Sequence, residues 1–420
     1  MSVRVALLGL VAVGLAASPA HAELSAAQAR YDRDGSGALE AAEAPPAVAL
    51  YFKEADVDGS GGLDRAELDG LARQLTLPRK GTPDPALKDF LEGKQGFAAI
   101  DAFMEKLVAD LPLEGAGIFV ARGGKLAHQA TFGIYDPDTV VPIASASKWL
   151  AAATVMSVVE EGLLDLDTPI SAYWDEATGE GGTMTLRTML SHTAGTGSSH
   201  LADQPRSFTL EESARGALAL PRVGKPGEKF QYGGVSLQIA GYLATRATGK
   251  TWAELFQERI AGPLGMSNTW FGFAQKPEPR GEITNPILAA GVYSSLADYS
   301  HFLAMLAADG VYEGRQVLKK STIDEMAHDY TGRSATLGQR TSVGDPRGYG
   351  FGEWCDEFGS GDACLVVNSG GAFGVLPRLD RRDGTVILLF VKDRMGPMRP
   401  YWTAIIGTAQ ATLDAAPAGQ

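Results

Sequence analysis

The sequence predicts a mixed α/β protein, in which a sheet flanked by helices carries a second, helical lobe and follows a small all-α unit. Two observations predict the main fold. Strand patterns occur towards both ends of residues 96–420, and the middle, from about 160 to 285, is mostly helix and loop. A third observation, an acidic repeat, separates the N-terminal unit. The expected divisions are a processing signal (1–22), the acidic repeat (23–75), a linker (76–95) and the main domain (96–420).

The elements of the main domain follow from local patterns. A helix is expected first, then two strands around the turn Arg122-Gly-Gly-Lys125, and later a helix that ends at Gly162. Strands return near the end and a helix closes the chain, whereas three prolines make 76–95 a linker. The expected bounds are helix 97–111, strands 116–121 and 126–132, strands 364–368 and 385–391, and helix 401–413.

Composition and the N-terminus limit the partners and the compartment. The 420 residues carry a formal net charge of −13 and no basic block, which argues against a nucleic-acid partner. Arg4 precedes the apolar stretch Val5–Ala17, and small residues flank a cleavage position after Ala22. This pattern indicates a secretory signal peptide, too short for a membrane anchor, and a periplasmic or secreted mature chain without a transmembrane segment.

Two cysteines, Cys355 and Cys364, flank a short turn-rich loop between two extended segments. In an exported protein this spacing favours a disulfide across a hairpin, and two free thiols are the alternative. Neither cysteine lies in a pattern that would activate it as a nucleophile.

The acidic repeat has the pattern of a calcium loop in both of its copies. Each copy has twelve residues, with oxygen-bearing side chains at positions 1, 3, 5, 9 and 12 and glycine at position 6. Position 7 supplies a backbone carbonyl, and the apolar residue at position 8 can pair the two loops through a short strand. Two copies in register favour an EF-hand pair with two Ca²⁺ sites over plain solvated loops. The expected ligands are Asp32, Asp34, Ser36, Ala38, Glu40 and Glu43, then Asp56, Asp58, Ser60, Gly62, Asp64 and Glu67.

Ser145-Ala-Ser-Lys148 is the most informative stretch for chemistry. Its serine and lysine lie three residues apart at the start of a long apolar helical run, so they share one helix face. A serine hydroxyl needs a base to act as a nucleophile, and an amine buried among apolar groups can be that base. The alternative is an ordinary helix start, with Ser145 as its cap and Lys148 solvated.

Three other segments favour the catalytic interpretation. Tyr232 ends a Pro/Gly-rich loop before a helical run, where its phenol could relay protons. The strand that ends at Asn368 runs through Ser369 into two glycines, whose N–H groups could stabilise an oxyanion. His192, at a helix end, is expected to be structural rather than catalytic.

On these motifs, most of residues 96–410 resemble the serine β-lactamase and penicillin-binding-protein superfamily, in particular its class C and esterase-like branch. The motifs that carry the resemblance are the Ser145–Lys148 tetrapeptide, Thr185–Gly195, Pro226–Tyr232, Ile260–Met266 and Ala290–Asp298. The resemblance implies an antiparallel sheet flanked by helices, Ser145 as acylated nucleophile, Lys148 as base and Tyr232 as the first residue of a Y-x-N motif. It also implies a third motif at Asn368-Ser369-Gly370, with the amides of Ser145 and Gly371 as oxyanion donors.

Two departures from the family pattern concern the substrate. Gly234 stands where the Y-x-N motif has asparagine, and Asn368 stands where a cationic residue is usual. Both changes weaken the case for β-lactams and for peptides that end in a free carboxylate, but they leave the Ser–Lys–Tyr set intact. The expected function is therefore an exported serine hydrolase that forms an acyl-enzyme on an ester, small amide or peptide-like substrate and needs no cofactor for this chemistry.

Two other functions remain open on the sequence. One is a β-lactamase or D-alanyl-D-alanine peptidase, which covalent labelling by a penicillin would favour. The other is a non-catalytic, calcium-dependent binding protein on a decayed hydrolase fold, favoured by the altered second and third motifs. The sequence does not determine the oligomeric state.

Overall fold

The computed structural model divides the chain into two units, Met1–Arg73 and Gln74–Gln420. The expected signal peptide, residues 1–22, lies outside the residues that the structure describes. The described residues are 24, 26–29, 31–44, 48, 52–68, 87, 89–111, 113–197, 206–273, 283–331, 347–393 and 395–415.

The first unit contains the two acidic loops and short flanking elements. Its strands β1 and β2 form an antiparallel pair, with Leu39 opposite Leu63. Both leucines occupy position 8 of their loops and are buried, so the short ladder joins the loops through an apolar contact. The element bounds are α1 Ala26–Ala29, β1 Leu39–Glu40, α2 Phe52–Ala55 and β2 Gly62–Leu63.

The second unit is built on a seven-stranded sheet in the order β10-β11-β12-β13-β14-β3-β4, with every neighbouring pair antiparallel. This confirms the antiparallel sheet implied by the resemblance. Its bounds are β3 Gly115–Arg122, β4 Lys125–Gly133, β10 Gly348–Tyr349, β11 Trp354–Phe358, β12 Cys364–Asn368, β13 Leu376–Asp380 and β14 Thr385–Val391.

Helices cover both faces of this sheet. Every residue of β14 is buried, because its continuous apolar run has a hydrophobic cluster on each side. On one face lie α3 (Phe97–Asp110) and the C-terminal helix α12 (Met395–Ala415). On the other face, α10 (Leu296–Ala307) contacts β3, β13 and β14, and α4 (Ser147–Glu160), the helix that carries Lys148, belongs to the same hydrophobic cluster. The strands and helices expected from local patterns are therefore present, with α12 beginning earlier than its periodicity indicates.

The middle of the unit is a helical lobe with two small sheets. The lobe packs against α4, because the buried face of α8 contacts it directly. Its helices are α5 Gly179–Gly182, α6 Leu186–Leu190, α7 Leu210–Ala219, α8 Val235–Thr248 and α9 Trp252–Phe256, whereas α10 Leu296–Ala307 lies against the sheet and α11 Lys320–Met326 against α4. Its strands are β5 Val141–Pro142, β6 Trp270–Phe271, β7 Val292–Ser294, β8 Val311–Tyr312 and β9 Arg315–Gln316.

Part of the stretch expected to be a linker packs onto the second unit. Leu87 and Leu91 are buried in the same hydrophobic cluster as Phe103 and Leu107 of α3. Their burial stabilises the fold by roughly 2 kcal/mol each relative to exposure, so Leu87 and Leu91 belong to the folded unit rather than to a free tether.

The cysteines lie on the β11–β12 hairpin, and the structure joins Cys355 to Cys364 by a disulfide, with Cα atoms 5.3 Å apart. Among the described helices, none combines the length and the apolar character that crossing a membrane requires.

Candidate active site

Ser145 lies on a tight turn immediately before α4. The turn Ala144–Ala146 is a 3₁₀-helix, and Ala144 has a φ of +48°, a left-handed conformation that costs a non-glycine residue about 1–2 kcal/mol. Ala144 and Ala146 are buried, whereas Ser145 is partly exposed. The strained turn therefore presents the Ser145 hydroxyl to solvent while the chain on either side is packed.

Lys148 lies one helical turn after Ser145 and reaches back to it. Its Nζ is 3.0 Å from Ser145 Oγ and donates to the Ala289 carbonyl at 2.9 Å. The lysine is only 3% exposed. These two hydrogen bonds hold the buried amine against the Ser145 hydroxyl. A lysine that acts as the base for a serine nucleophile requires this arrangement.

The second serine of the tetrapeptide, Ser147, has a different role. It is fully buried, donates to the Ala144 carbonyl at 2.5 Å and accepts the Val292 N–H at 3.0 Å. These bonds tie the turn to β7. Ser147 is thus committed to structure, and Ser145 is the serine of this stretch that can reach a substrate.

Tyr232 joins Ser145 and Lys148 in space, although it lies 84 positions after the lysine in the sequence. Lys148 Nζ lies 4.6 Å from the centre of the Tyr232 ring. The ring stacks on Trp354 at 5.2 Å between centroids and is partly exposed. The three residues expected to be catalytic are therefore brought together, with Tyr232 held by an aromatic neighbour.

His192 fills the space behind Tyr232. Its ring lies 4.9 Å from the Tyr232 ring and 5.0 Å from the Tyr349 ring, and it is buried. Burial, and then the charge of Lys148, hold the pKa of His192 well below its ordinary value. Neither ring nitrogen has a hydrogen-bond partner among the described residues. A neutral, packed imidazole agrees with the structural role expected for it.

The polar groups of the third motif, Asn368-Ser369-Gly370, make hydrogen bonds within the protein. Asn368, the last residue of β12, donates its amide to Asp356 at 2.7 Å and accepts the Gly370 N–H at 3.3 Å. Ser369 is buried and donates to the Gly352 carbonyl at 2.7 Å. These polar groups bond within the protein rather than remaining open for a substrate.

Gly371 was expected to donate its amide to the oxyanion, and the structure does not place it so. Its N–H donates to the Val375 carbonyl at 2.7 Å, within the turn that leaves β12. The residue does lie against the Ser145 turn, because a Cβ there would overlap the Ile143 carbonyl. Gly371 therefore permits a close backbone approach, and serving as an oxyanion donor would require its N–H to leave Val375.

The sequence did not indicate the aromatic and acidic groups behind the site. Tyr349 and Trp354 form the wall against which Tyr232 and His192 pack. Glu353 is 2% exposed, and burial raises its pKa to about 8. Its neighbour Gly352 lies against the Lys148 carbonyl. The sequence shows a Gly-Tyr-Gly run before β11, but the run alone does not predict that these residues pack behind Tyr232.

The two acidic loops place their carboxylates in matching clusters. Oxygens of Asp32, Asp34 and Glu43 lie within 4.8 Å of one another, as do those of Asp56, Asp58 and Glu67. At position 6, Gly37 and Gly61 have φ of +85° and +84°, so the sharp turns use glycine as expected.

The remaining expected ligands lie at the same loops. In both copies the position-5 hydroxyl donates to the position-7 carbonyl, Ser36 to Ala38 at 3.0 Å and Ser60 to Gly62 at 2.9 Å. Glu43 Oε2 and Asp56 Oδ1 are buried and accept no hydrogen bond from described residues. Clustered hard oxygens, one of which in each loop is buried without a donor, fit a Ca²⁺ ion.

Comparison with known proteins agrees with this architecture. A family model described as Beta-lactamase matches residues 100–409. Esterase EstB of Burkholderia gladioli is 29% identical over 205 residues, which cover 42% of this chain and 52% of EstB. Monacolin J acid methylbutanoyltransferase of Aspergillus terreus is 31% identical over 166 residues, covering 34% of this chain and 40% of that protein. The chain thus spans about half or less of the length of these two relatives.

Solved structures show the same fold over more of the chain. A crystal structure described as a putative beta-lactamase from Bacteroides dorei has a TM-score of 0.66 and 27% identity, covering 76% of this chain and all of that one. EstCE1, described as a hydrolase with promiscuous acyltransferase activity, has a TM-score of 0.60 at 19% identity, covering 78% and 98%. The family match over most of the chain leads to one conclusion: the chain belongs to the Beta-lactamase family.

Proposed function

We propose that this protein is an exported serine hydrolase that cleaves esters or small amides through an acyl-enzyme on Ser145. The observation that carries the proposal is the buried Lys148 amine, 3.0 Å from the partly exposed Ser145 hydroxyl. A hydroxyl paired with a fixed base is an activated nucleophile. The names of the relatives, an esterase and an acyltransferase, support the same chemistry.

The proposed reaction has two halves. Lys148 accepts the Ser145 proton as Oγ bonds to the carbonyl carbon of the substrate, forming a tetrahedral oxyanion. When this collapses, the bond to the leaving group breaks and the leaving oxygen or nitrogen takes a proton, relayed through Lys148 and the Tyr232 phenol. Water then adds to the acyl-enzyme, and the acid and the free serine are released.

The substrate preference follows from the third motif. Asn368 is neutral and its amide is already bonded to Asp356. Gly234 has no side chain to contact a substrate amide. A site without these two recognition groups fits a neutral ester better than a β-lactam or a peptide with a free carboxylate.

Export and calcium binding belong to the same proposal. The N-terminal pattern of residues 1–22 supports a cleaved signal peptide and a periplasmic or secreted location. The clustered carboxylates of the two loops support an EF-hand pair that holds two Ca²⁺ ions. Calcium is not needed for the acyl-transfer steps, which use only Ser145, Lys148 and Tyr232.

The test is hydrolysis of a neutral chromogenic ester by the Ser145→Ala variant. We expect turnover to fall to the background rate, whereas Ser321→Ala, at an exposed serine on α11, should keep wild-type activity. Undiminished turnover by Ser145→Ala would reject the proposed nucleophile. Stable covalent labelling by a penicillin, without ester turnover, would favour a β-lactam-binding function instead.

A further inference from the structure

We propose that His192 is a positioning residue for the proton relay, and that its ring and its backbone carbonyl hold the Tyr232 phenol in place beside Lys148. The inference rests on the proposed hydrolase function and adds to it a residue that acts through Tyr232 rather than on the substrate. His192 combines a backbone conformation that favours glycine with a buried imidazole that has no hydrogen-bond partner among the described residues.

His192 follows the end of α6, in a turn where glycine is the usual residue. Its N–H donates to the Met189 carbonyl at 3.4 Å, and the Thr193 N–H donates to the Thr188 carbonyl at 2.8 Å. These two bonds form a Schellman motif, which puts His192 at the left-handed position after the helix cap. Its φ is +58°, where a side chain is strained and glycine is not. A side chain at this position therefore costs the turn stability.

The imidazole of His192 is costly as well. The residue is 2% exposed, and neither ring nitrogen has a hydrogen-bond partner within the described part of the chain. A buried polar nitrogen that makes no hydrogen bond has lost its hydration without compensation. A strained backbone and an unpaired buried ring at one residue, in contact with Tyr232, indicate a functional constraint at that residue.

The His192 ring packs against Tyr232 on the side that faces the protein interior. The two ring centroids are 4.9 Å apart, and Trp354 stacks on Tyr232 at 5.2 Å. The Lys148 Nζ lies 4.6 Å from the centre of the same Tyr232 ring. The His192 ring is itself held by Tyr349, at 5.0 Å between centroids. Loss of the imidazole would leave a space into which the Tyr232 ring could shift relative to Lys148.

The backbone of the same turn holds the loop that leads to Tyr232. The His192 carbonyl accepts the N–H of Gln231, the residue before Tyr232, at 2.8 Å. The Thr193 carbonyl accepts the Gly227 N–H at 2.7 Å, near the start of the loop. Glycine at position 192 would keep the carbonyl and the left-handed backbone, so a substitution can remove the ring contact alone.

The ring acts by contact rather than by taking a proton. Burial, and then the charge of Lys148, hold the pKa of His192 well below its ordinary value. The imidazole is therefore neutral at pH 7, and the relay from Lys148 through the Tyr232 phenol does not pass through it.

The experiment compares kcat/KM for two esters of the same acid, an alkyl ester and a nitrophenyl ester. Nitrophenolate departs without a proton, whereas an alkoxide must be protonated as it leaves, so the alkyl ester depends far more on Tyr232. His192→Gly removes the ring and keeps the turn, and His192→Phe restores a ring without nitrogens. His301→Ala, which removes a half-buried imidazole from α10, is the control.

We expect His192→Gly to lower kcat/KM by about tenfold or more for the alkyl ester and by about threefold or less for the nitrophenyl ester. Tyr232→Phe should show the same dependence on the leaving group. Added to Tyr232→Phe, His192→Gly should cause a further loss of about twofold or less, because the relay is already absent. His192→Phe should restore most of the alkyl-ester activity, and His301→Ala should leave both esters unaffected.

Equal losses on the two esters, or a full further loss when His192→Gly is added to Tyr232→Phe, would overturn the positioning role and leave the hydrolase function standing. Absence of ester hydrolysis by the unaltered protein would overturn both.

Discussion

We call Ser145, Lys148 and Tyr232 the α4 wall of the candidate site, and Asn368 and Gly371 its strand wall. The two walls differ in the bonds that their polar groups make. On the α4 wall, Lys148 is directed at Ser145, and the partly exposed Tyr232 ring lies over the same amine. On the strand wall, at the end of β12, Asn368 is bonded to Asp356 and the Gly371 N–H to Val375. The first wall has groups poised to break a bond, whereas the second has groups that hold the protein together.

This difference separates the chemistry from the recognition of substrate. An acyl-enzyme requires an activated nucleophile and a path for protons, both of which the α4 wall provides. Recognition of a particular acid or amide requires polar groups left open to the ligand. We therefore expect substitutions on the α4 wall to lower turnover strongly and substitutions on the strand wall to have small effects on neutral esters.

Loss of the Lys148 amine should have the largest effect of the side chains that assist Ser145. Lys148→Met keeps the length and burial of the side chain but cannot accept the Ser145 proton. Turnover of a neutral ester should fall by about a thousandfold, within the range for a general base. Lys125→Met, at an exposed position of β4, is the control and should be unchanged. A fall of less than tenfold would remove Lys148 from the role of base.

Loss of the Tyr232 hydroxyl should have the next largest effect. Tyr232→Phe keeps the stack on Trp354 and should lower kcat by about a hundredfold with little change in KM, because a proton relay acts in the transition state. Tyr349→Phe removes a hydroxyl from the buried neighbouring ring and should have little effect on kcat. Equal losses from both variants would make the aromatic wall a packing element only.

The buried Glu353 should make the stability of the second unit depend on pH. Burial raises its pKa from the ordinary 4.5 to about 8, so the folded protein holds a proton that the unfolded chain releases. The stability from this group is complete below pH 4.5 and is lost as pH rises towards 8, by on the order of a few kcal/mol. Glu353→Gln should flatten the fall in melting temperature across that range, and an unchanged slope would contradict the assignment.

The smallest effect is expected on the strand wall. Asn368→Ala removes the hydrogen bonds to Asp356 and Gly370. Their loss should lower the free energy of unfolding by about 1 kcal/mol in total. Because these bonds are internal, kcat/KM for a neutral ester should change by about threefold or less. Steady-state kinetics on a neutral ester measures this change. A fall in kcat/KM as large as that caused by Tyr232→Phe would show that the strand wall takes a direct part in turnover.

Local patterns predicted most of the fold. Strands β3, β4 and β14 and helices α3 and α4 are continuous apolar or periodic runs, so their residues alone indicate them. Strand β13 was not predicted, because Pro377 lacks an N–H donor and Arg378 interrupts the apolar pattern. Its pairing with β12 and β14 overrides that local preference.

The site was predictable where its residues are close in the chain. Ser145 and Lys148 meet because helical spacing brings them together. The Ala289 carbonyl that orients Lys148 lies 141 positions away in the sequence. The Gly371 N–H donates to the Val375 carbonyl within a turn that the local residues do not predict. Contacts of this kind depend on how the sheet and the lobe pack, which a single sequence does not encode in any local pattern.

The central claim is that Ser145 carries an acyl group during turnover. Intact-protein and peptide mass spectrometry, after a brief exposure to a slowly hydrolysed ester, tests it directly. The account predicts one acyl addition, on the peptide that contains Ser145, in the unaltered protein and none in Ser145→Ala. Acylation of Ser147 or of another residue, or hydrolysis of the ester by Ser145→Ala at the full rate, would contradict it.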